Sequence, residues 1–463
     1  MYLVDTHCHL WHPEFHSDLK NVLKNSRNSG INYFINIGVD VETSLQAVKM
    51  AKKNRAIFAG VGYHPHYAKD FKESDGIELK KLLHREKVVA FGEVGLDFYR
   101  QISNKKSQLM VLDKLLKIWQ GTDLPIVIHN RDVHQEIISV LNNIRQFNPK
   151  IVMHCFSGDR DFLKECLNRG YYISYAANLT FSKELKELIK YTPLERMLLE
   201  TDSPYLAPRT KRGSRNEPSN IRESAAVAAE IKGVEEEDII RSEALNAKVV
   251  FNVGRDFTKP RIVYKYKGGL YINLTNKCSN ECVFCTAKEE DYFAGYKLRF
   301  KKEPGVRDVL RAVGKEKEYW KVSFCGFGEP FCRFKEMMEI SRILKNRGYK
   351  IRIVTNGCGN LIQGKDVLPE LKGFIDEMSV SLNVEEKGKY NAICRPQFEG
   401  DVFGAVLNFI REAKKYVPQV EISFLNIPGM DSQKCKGIAQ NLGVDYKIRE
   451  YNLVKSETMQ NAK

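Results

Sequence analysis

The sequence predicts an α/β protein built from two consecutive barrels. A (β/α)8 barrel of the TIM type is expected over residues 1–256, a linker over 257–269, and a partial (β/α)6 barrel over 270–463. Three observations predict this. Short apolar runs recur eight times before residue 200 with amphipathic stretches between them, and about six times after residue 269. Strand alternating with helix is the pattern of βαβ units around a parallel sheet. The metal-binding residue types also change over: all ten histidines lie between His7 and His154, whereas eight of eleven cysteines lie between Cys278 and Cys435.

Taken in order, the strands of the first half are expected at 2–5, 33–37, 57–61, 88–91, 126–128, 151–153, 171–175 and 197–199. Amphipathic stretches such as 107–119 and 161–168 read as the intervening helices, and 220–231 and 238–251 as helices closing the barrel. Polar motifs follow the strands. Asp5-Thr6-His7-Cys8-His9 follows the first, Gly62-Tyr63-His64-Pro65-His66 the third, and Gly92-Glu93-Val94-Gly95-Leu96-Asp97 the fourth. His129-Asn130-Arg131 follows the fifth, His154-Cys155-Phe156-Ser157-Gly158 the sixth, and Glu200-Thr201-Asp202-Ser203-Pro204 the eighth. Barrel active sites are built at the C-terminal ends of the strands, so groups scattered in sequence would converge there.

The residue types suit a two-metal site. His7 and His9, two apart on leaving a strand, can point to one side, and a carboxylate such as Glu93 can bridge two ions. His129 and His154 would hold the second ion, while Asp202 would ligate the first and take a proton from an attacking water. Imidazoles and carboxylates accept zinc, manganese or magnesium, and the sequence does not choose among them. Two ions together polarise a phosphoryl oxygen and activate water at neutral pH. His64 reads as a substrate or proton contact. His12, His16, His84 and His134 read as ordinary surface or core residues. Arg131, together with Arg212 and Arg215 of the cation-rich loop 209–215, are candidate substrate contacts, since cations position phosphates.

These motifs carry a resemblance. DTHCHL from Asp5, GYHPH from Gly62, GEVGLDFYR from Gly92, IHNR from Ile128, HCFSG from His154, LETDSPYLAP from Leu199 and RGSRNEPSN from Arg212 resemble the TatD family of metal-dependent deoxyribonucleases, within the amidohydrolase-like barrels. The resemblance covers about 1–256. It implies His7, His9, Glu93, His129, His154 and Asp202 as metal ligands, with Glu93, Asp202 and His64 in catalysis.

The junction, GRDFTKPRIVYKYKGG at 254–269, combines proline, a closing Gly-Gly and several cations, and holds one short apolar run at 262–266. Strands are then expected at 270–274, 322–324, 351–354, 378–382, 420–424 and 446–448, with helices such as 333–346 and 402–416. Directly after the first of these strands stand Cys278, Cys282 and Cys285. A structural zinc site wants four protein ligands. Three thiolates suit a [4Fe–4S] cluster with one iron left open. Gly326, Gly328 and Glu329 of GFGEP follow the second strand; the glycines let backbone approach a ligand closely, and Glu329 can accept from an ammonium group. Asn356 after the third strand, with Ser381 and Asn383 at the end of the fourth, offer hydroxyl and amide groups. The other cysteines of this half lack tight CxxC spacing and read as buried thiols.

CxxxCxFC at Cys278–Cys285 and GFGEP at Gly326–Pro330 resemble the radical S-adenosylmethionine (radical SAM) superfamily, and EDYFAGYKLRF at Glu289–Phe300 resembles small members associated with TatD-type proteins. The resemblance implies a [4Fe–4S] cluster, S-adenosylmethionine chelated at the open iron, an electron donor and a substrate of unknown class.

Net charge is +15, compatible with a polyanionic partner but not diagnostic of one. No apolar run is long enough to span a bilayer, and the first residues lack the basic and apolar regions of a signal peptide. An odd cysteine count points to a reducing compartment, so a cytoplasmic enzyme is expected. The expected function is a bifunctional fusion: a phosphodiester hydrolase acting on DNA or a nucleotide, and a radical SAM enzyme. The alternative is a hydrolase of a non-nucleic ester or amide whose product or substrate the second half modifies.

Overall fold

The computed structural model describes residues 1–144, 149–255, 259–288, 291–314 and 319–450. Residues 256–258 at the expected junction, 289–290 of the EDYFAGYKLRF motif and the end of the expected second barrel at 451–463 lie outside the described residues. The chain forms two compact units, Met1–Asp256 and Phe257–Lys463.

In the first unit eight strands pair in sequence order, all parallel: β1 (Leu3–Cys8), β2 (Ile31–Ile37), β3 (Ile57–Val61), β4 (Val88–Asp97), β5 (Ile126–Arg131), β6 (Ile151–Met153), β7 (Tyr172–Tyr175) and β8 (Met197–Leu199). The barrel draws together at the C-terminal ends of β8 and β1, where Asp202 N–H donates to His7 O at 2.9 Å and His9 N–H donates to Ser203 O at 2.8 Å. Helices such as Lys105–Trp119, with Trp119 fully buried, cover the outside. The closing helices are Ile221–Lys232 and Glu236–Phe251.

Three strands run further than their apolar runs suggest. β1 continues through His7, β4 through Glu93 to Asp97, and β5 through His129 to Arg131. Polar residues pair as well as apolar ones where the register holds: Gly95 faces His129 and Asp97 faces Arg131. Gly95 makes this possible, because a Cβ there would meet His129 O at 2.0 Å and its φ is +151°. The site residues therefore stand on sheet as well as loop.

The second unit is a seven-stranded sheet with a short two-stranded ladder beside it. Its strands are β9 (Val263–Tyr266), β10 (Gly269–Ile272), β13 (Lys321–Phe324), β14 (Lys350–Thr355), β15 (Glu377–Asn383), β16 (Gln419–Asn426) and β17 (Asp445–Glu450), and the ladder pairs β11 (Tyr292–Phe293) with β12 (Tyr296–Lys297). From β10 to β17 neighbours are parallel, in the order β10-β13-β14-β15-β16-β17. β9, within the segment that reads as a junction, pairs antiparallel with β10 and forms the sheet edge. The two faces differ sharply. Val322, Phe324, Ile351, Ile353, Met378, Val380, Ile422 and Phe424 are buried with Met337, Ile340 and Leu344 of helix Phe334–Asn346 and Val406 and Ile410 of helix Val402–Ala413. The opposite, inner face carries Ser323, Arg352, Glu377, Ser379, Glu421, Ser423 and Lys447 at alternating positions. No described helix is long and apolar enough to cross a membrane.

Candidate active sites

At the C-terminal end of the first barrel the strand ends bring His7, His9, His64, Glu93, His129, His154 and Asp202 together around Glu93. Its Oε2 stands 3.4 Å from His7 Nε2, and its Oε1 stands 2.6 Å from His129 Nδ1 and 3.4 Å from both His64 Nε2 and His154 Nε2. Asp202 Oδ1 is 3.2 Å from His9 Nε2 and 3.8 Å from His7 Nε2. Four overlapping groups have donor atoms all within 4.8 Å of one another: His7, His9 and Glu93; His7, His154 and Asp202; His64, Glu93 and His129; and His154, Cys155 and Glu200. The two oxygens of Glu93 thus face two neighbouring sets of nitrogens, the arrangement a bridging carboxylate needs. Neither nitrogen of the fully buried His7 has a hydrogen-bond partner. A buried imidazole without partners is costly, and a cation among these nitrogens and carboxylates would satisfy it; the donor set fits divalent ions.

A second tier of groups orients these side chains. Glu200 Oε1 stands 2.8 Å from His154 Nδ1 and accepts from Cys155 N–H at 2.8 Å, while its Oε2 accepts from Ser174 Oγ at 2.5 Å. Asp97 Oδ2 lies 3.3 Å from His129 Nε2 and 2.8 Å from His66 Nε2. His9 Nδ1 meets Ile37 O at 2.8 Å. Asp5 accepts from Thr201 Oγ1 and N–H, tying β1 to the Asp202 loop. The sequence reading assigned no role to Glu200, Asp97 or Asp5. All three lie within motifs it singled out, so a carboxylate beside a ligand in a strand-end motif was the available signal.

The field of the site follows from these contacts. Burial opposes the charge of Glu93, but the imidazoles of His64 and His154 and the hydrogen bond from His129 hold its carboxyl well below the usual range. Burial, with His129 and His66 nearby, pushes His64 down to about 4, so its imidazole is neutral. Burial raises Asp5 to about 8.

The site opens into a cavity of about 500 Å³ lined also by Trp11, Tyr67, Arg100, Arg131 and Tyr205. Arg131 lies over the Tyr99 ring at 4.4 Å. Arg212 and Arg215 do not line this cavity. Arg212 lies over Phe181. The Arg215 guanidinium is taken up by Asp18 at 2.7 Å and Glu217 at 2.7 Å.

In the second unit Cys278, Cys282 and Cys285 share the loop after β10, as free thiols. That loop is pinned by backbone bonds from Glu281 N–H to Arg395 O at 3.0 Å and Val283 N–H to Ile393 O at 2.9 Å. Gly326 and Gly328 bring the loop after β13 against it: a Cβ at Gly326 would meet Asn273 Oδ1 at 2.1 Å, and one at Gly328 would meet Thr275 O and Lys277 O at 2.5 Å. At Gly328 the close approach is of backbone to backbone, closed by Glu329 N–H donating to Lys277 O at 2.7 Å, and at Gly326 it is to the Asn273 side chain. The Glu329 carboxylate accepts from Thr355 Oγ1 at 2.8 Å and Asn356 N–H at 2.7 Å, and burial raises it to about 7. Asn356 Nδ2 donates to Ser279 Oγ at 2.9 Å. Ser381 lies on the inner face, its carbonyl accepting from Asn383 Nδ2 at 3.0 Å. Cys278 is exposed on the cluster loop, and its thiolate is the form that takes a cation. A cavity of about 430 Å³ beside the loop is lined by Asn276, Cys278, Asn280, Cys285, Arg299 and Phe327. Three thiols on one pinned loop, two of them lining the cavity, are a donor set that fits an iron–sulfur cluster.

Known proteins resemble the first unit closely. An uncharacterized metal-dependent hydrolase of Bacillus subtilis is 35% identical over 253 residues, 54% of this chain and 99% of that protein. A 3′-5′ ssDNA/RNA exonuclease TatD of Erwinia billingiae is 32% identical, over 54% of this chain and 99% of its own length. The crystal structure of a TatD homolog from Escherichia coli superposes with a TM-score of 0.53 at 27% identity, covering 54% of this chain and 98% of that one. The family model described as TatD related DNase matches residues 4–252 and that of the radical SAM superfamily matches 272–440, so the chain belongs to the TatD family and joins to its hydrolase domain a radical SAM enzyme domain.

Proposed function

We propose that residues 1–256 hydrolyse phosphodiester bonds of DNA or a nucleotide with two divalent ions, Mg, Mn or Zn, held by His7, His9, Glu93, His129, His154 and Asp202. The observation that carries this reading is Glu93, with Oε2 toward His7 and Oε1 toward His64, His129 and His154. Divalent ions in such a site supply Lewis acidity toward a phosphoryl oxygen and the attacking water. The chain's own groups do the rest. Asp202, beside His9, receives the proton of the water. Neutral His64 donates a hydrogen bond to substrate. Arg131, at the cavity wall, neutralises a flanking phosphate. Trp11, Tyr67 and Tyr205 offer ring faces to bases, which stack on aromatic side chains in single strands. A labelled single-stranded DNA incubated with Mn²⁺ tests this: shortening that is lost in Glu93→Gln and His7→Ala supports it, and intact DNA with the wild type would sink it.

The second domain, 270–463 together with the strand β9 (Val263–Tyr266) that the expected linker 257–269 contributes to its sheet, is read as a radical SAM enzyme with Cys278, Cys282 and Cys285 as cluster ligands, served by an electron donor in a reducing cytoplasm. A cluster held by these cysteines would supply the electron for reductive cleavage of bound S-adenosylmethionine. Gly326 and Gly328 seat the adjoining loop, Glu329 receives the ammonium group, and Asn356, Ser381 and Asn383 frame the pocket. Reconstituted chain with dithionite is expected to release 5′-deoxyadenosine, and Cys282→Ala is expected to abolish it.

A further inference from the structure

We propose that the inner face of the second barrel binds a substrate carrying a carboxylate or phosphate beside the cluster loop, with the Arg449 guanidinium as its anchor. The proposal rests on the radical SAM reading of this domain and names the substrate class for it.

The inner face is unusually polar for a sheet centre, and its charges do not balance. Toward the N-terminal ends of the strands Lys321 pairs with Glu377 at 3.0 Å, while Arg352 and Lys447 both reach Glu421 at 2.5 Å. These groups saturate one another. Further along, one strand period beyond Lys447, stands Arg449. Four cations, Lys321, Arg352, Lys447 and Arg449, thus share this face with two carboxylates, Glu377 and Glu421; Lys350 and Asp445 at the exposed rim cancel.

Three of the four cations reach these carboxylates, two of them sharing Glu421, and Arg449 reaches neither. Its NH2 donates to Asn383 Oδ1 at 2.7 Å, and its buried Nε has no hydrogen-bond partner. Among the described residues no carboxylate pairs with it. Asn383 is itself fixed, donating to Ser381 O at 3.0 Å and approaching Cys394 Sγ at 3.4 Å. The guanidinium is therefore oriented by a neutral amide and not neutralised. It also lies at the cluster end of the barrel: Asn383, which it binds, approaches Cys394 Sγ, and the residues on either side of Cys394 accept the backbone bonds that pin the cluster loop. Withdrawing a cation from water without a counter-charge is costly, and the arginine fork matches a carboxylate or phosphate with paired hydrogen bonds. A polar lumen with an excess of cations and one aimed, unpaired guanidinium next to the radical source selects an anion.

The test uses the full chain, anaerobically reconstituted, with Mg²⁺ as the only added divalent ion and S-adenosylmethionine present. Inorganic phosphate and ¹³C-acetate serve as probes, their NMR line widths compared between the oxidised and the paramagnetic reduced cluster. Saturable broadening is expected for at least one probe in the wild type. In Arg449→Gln its affinity should fall at least about tenfold, the loss of one charge-assisted contact, and less in Arg449→Lys. Iron content and 5′-deoxyadenosine formation should stay unchanged in both variants. No broadening in the wild type, or equal broadening in Arg449→Gln, overturns the proposal. Tenfold weaker S-adenosylmethionine binding in Arg449→Gln would assign the guanidinium to the carboxylate of S-adenosylmethionine and overturn the substrate assignment. A wild type that holds no iron fails the radical SAM reading instead; calorimetry of phosphate on that iron-free chain, wild type against Arg449→Gln, then decides the anion site on its own.

Discussion

Replacing Glu200 tests how far the candidate metal site depends on groups that do not face it directly. Glu200 holds His154 through a 2.8 Å contact to Nδ1, and its remaining bonds to Cys155 N–H and Ser174 Oγ fix the carboxylate itself. Loss of the partner that orients a metal-ligating histidine typically costs about 10–100-fold in metal affinity, or about 1.4–2.7 kcal/mol. Glu200→Ala removes both charge and orientation and should fall at the upper end. Glu200→Gln keeps the shape, can still accept from Nδ1–H and Cys155 N–H through its oxygen, and should fall near the lower end. Free Mn²⁺ counted by electron paramagnetic resonance against increasing total Mn²⁺ gives both site affinities. One of the two should weaken, the one His154 serves. Wild-type affinity at both sites in Glu200→Ala would refute the orienting role.

Other expectations follow from the same contacts. Because burial raises Glu329 from its ordinary 4.5 to about 7, the folded chain retains a proton there that the unfolded chain has lost, and stability should fall as pH rises through that window. Binding an ammonium group requires the ionised form, so S-adenosylmethionine should bind about tenfold more weakly near pH 6 than near pH 8; calorimetry should show this slope in the wild type and not in Glu329→Gln. Gly328→Ala would drive a Cβ into backbone carbonyls of the cluster loop, so the reconstituted variant should lose most of its iron while Mn²⁺ binding at the first site is unchanged. Trp119→Ala should cost about 3–5 kcal/mol in denaturant unfolding of the first domain, since the ring is fully buried between helix and barrel; a cost below about 1 kcal/mol would contradict that packing.

Much of this was legible in the sequence because the signals are local. Each strand of the first barrel is a short apolar run, and each candidate ligand sits within a few residues of one, so topology alone carries His7, Glu93, His129, His154 and Asp202 to one end. Contacts made across the fold were not legible. Arg215 reads as a phosphate contact in a basic loop, yet Asp18, 197 positions away, occupies it. Strand ends were set too short at β1, β4 and β5 because the reading followed hydropathy, and those ends carry the polar ligands. In the second barrel the alternation of EMSVSLN in β15 and QVEISFLN in β16 displayed a polar inner face openly, but its charge excess appears only when the strands are laid side by side.

The central claim is that one chain holds two chemically separate active sites, one of imidazoles and carboxylates and one of thiolates. Elemental analysis of the anaerobically reconstituted chain, dialysed against Mn²⁺, tests it most directly. The wild type should carry about two manganese and about four iron per chain. Glu93→Gln should lose manganese and keep its iron, and Cys282→Ala should lose iron and keep its manganese. Either substitution emptying both sites, or a wild type that holds only one kind of metal, would contradict the account.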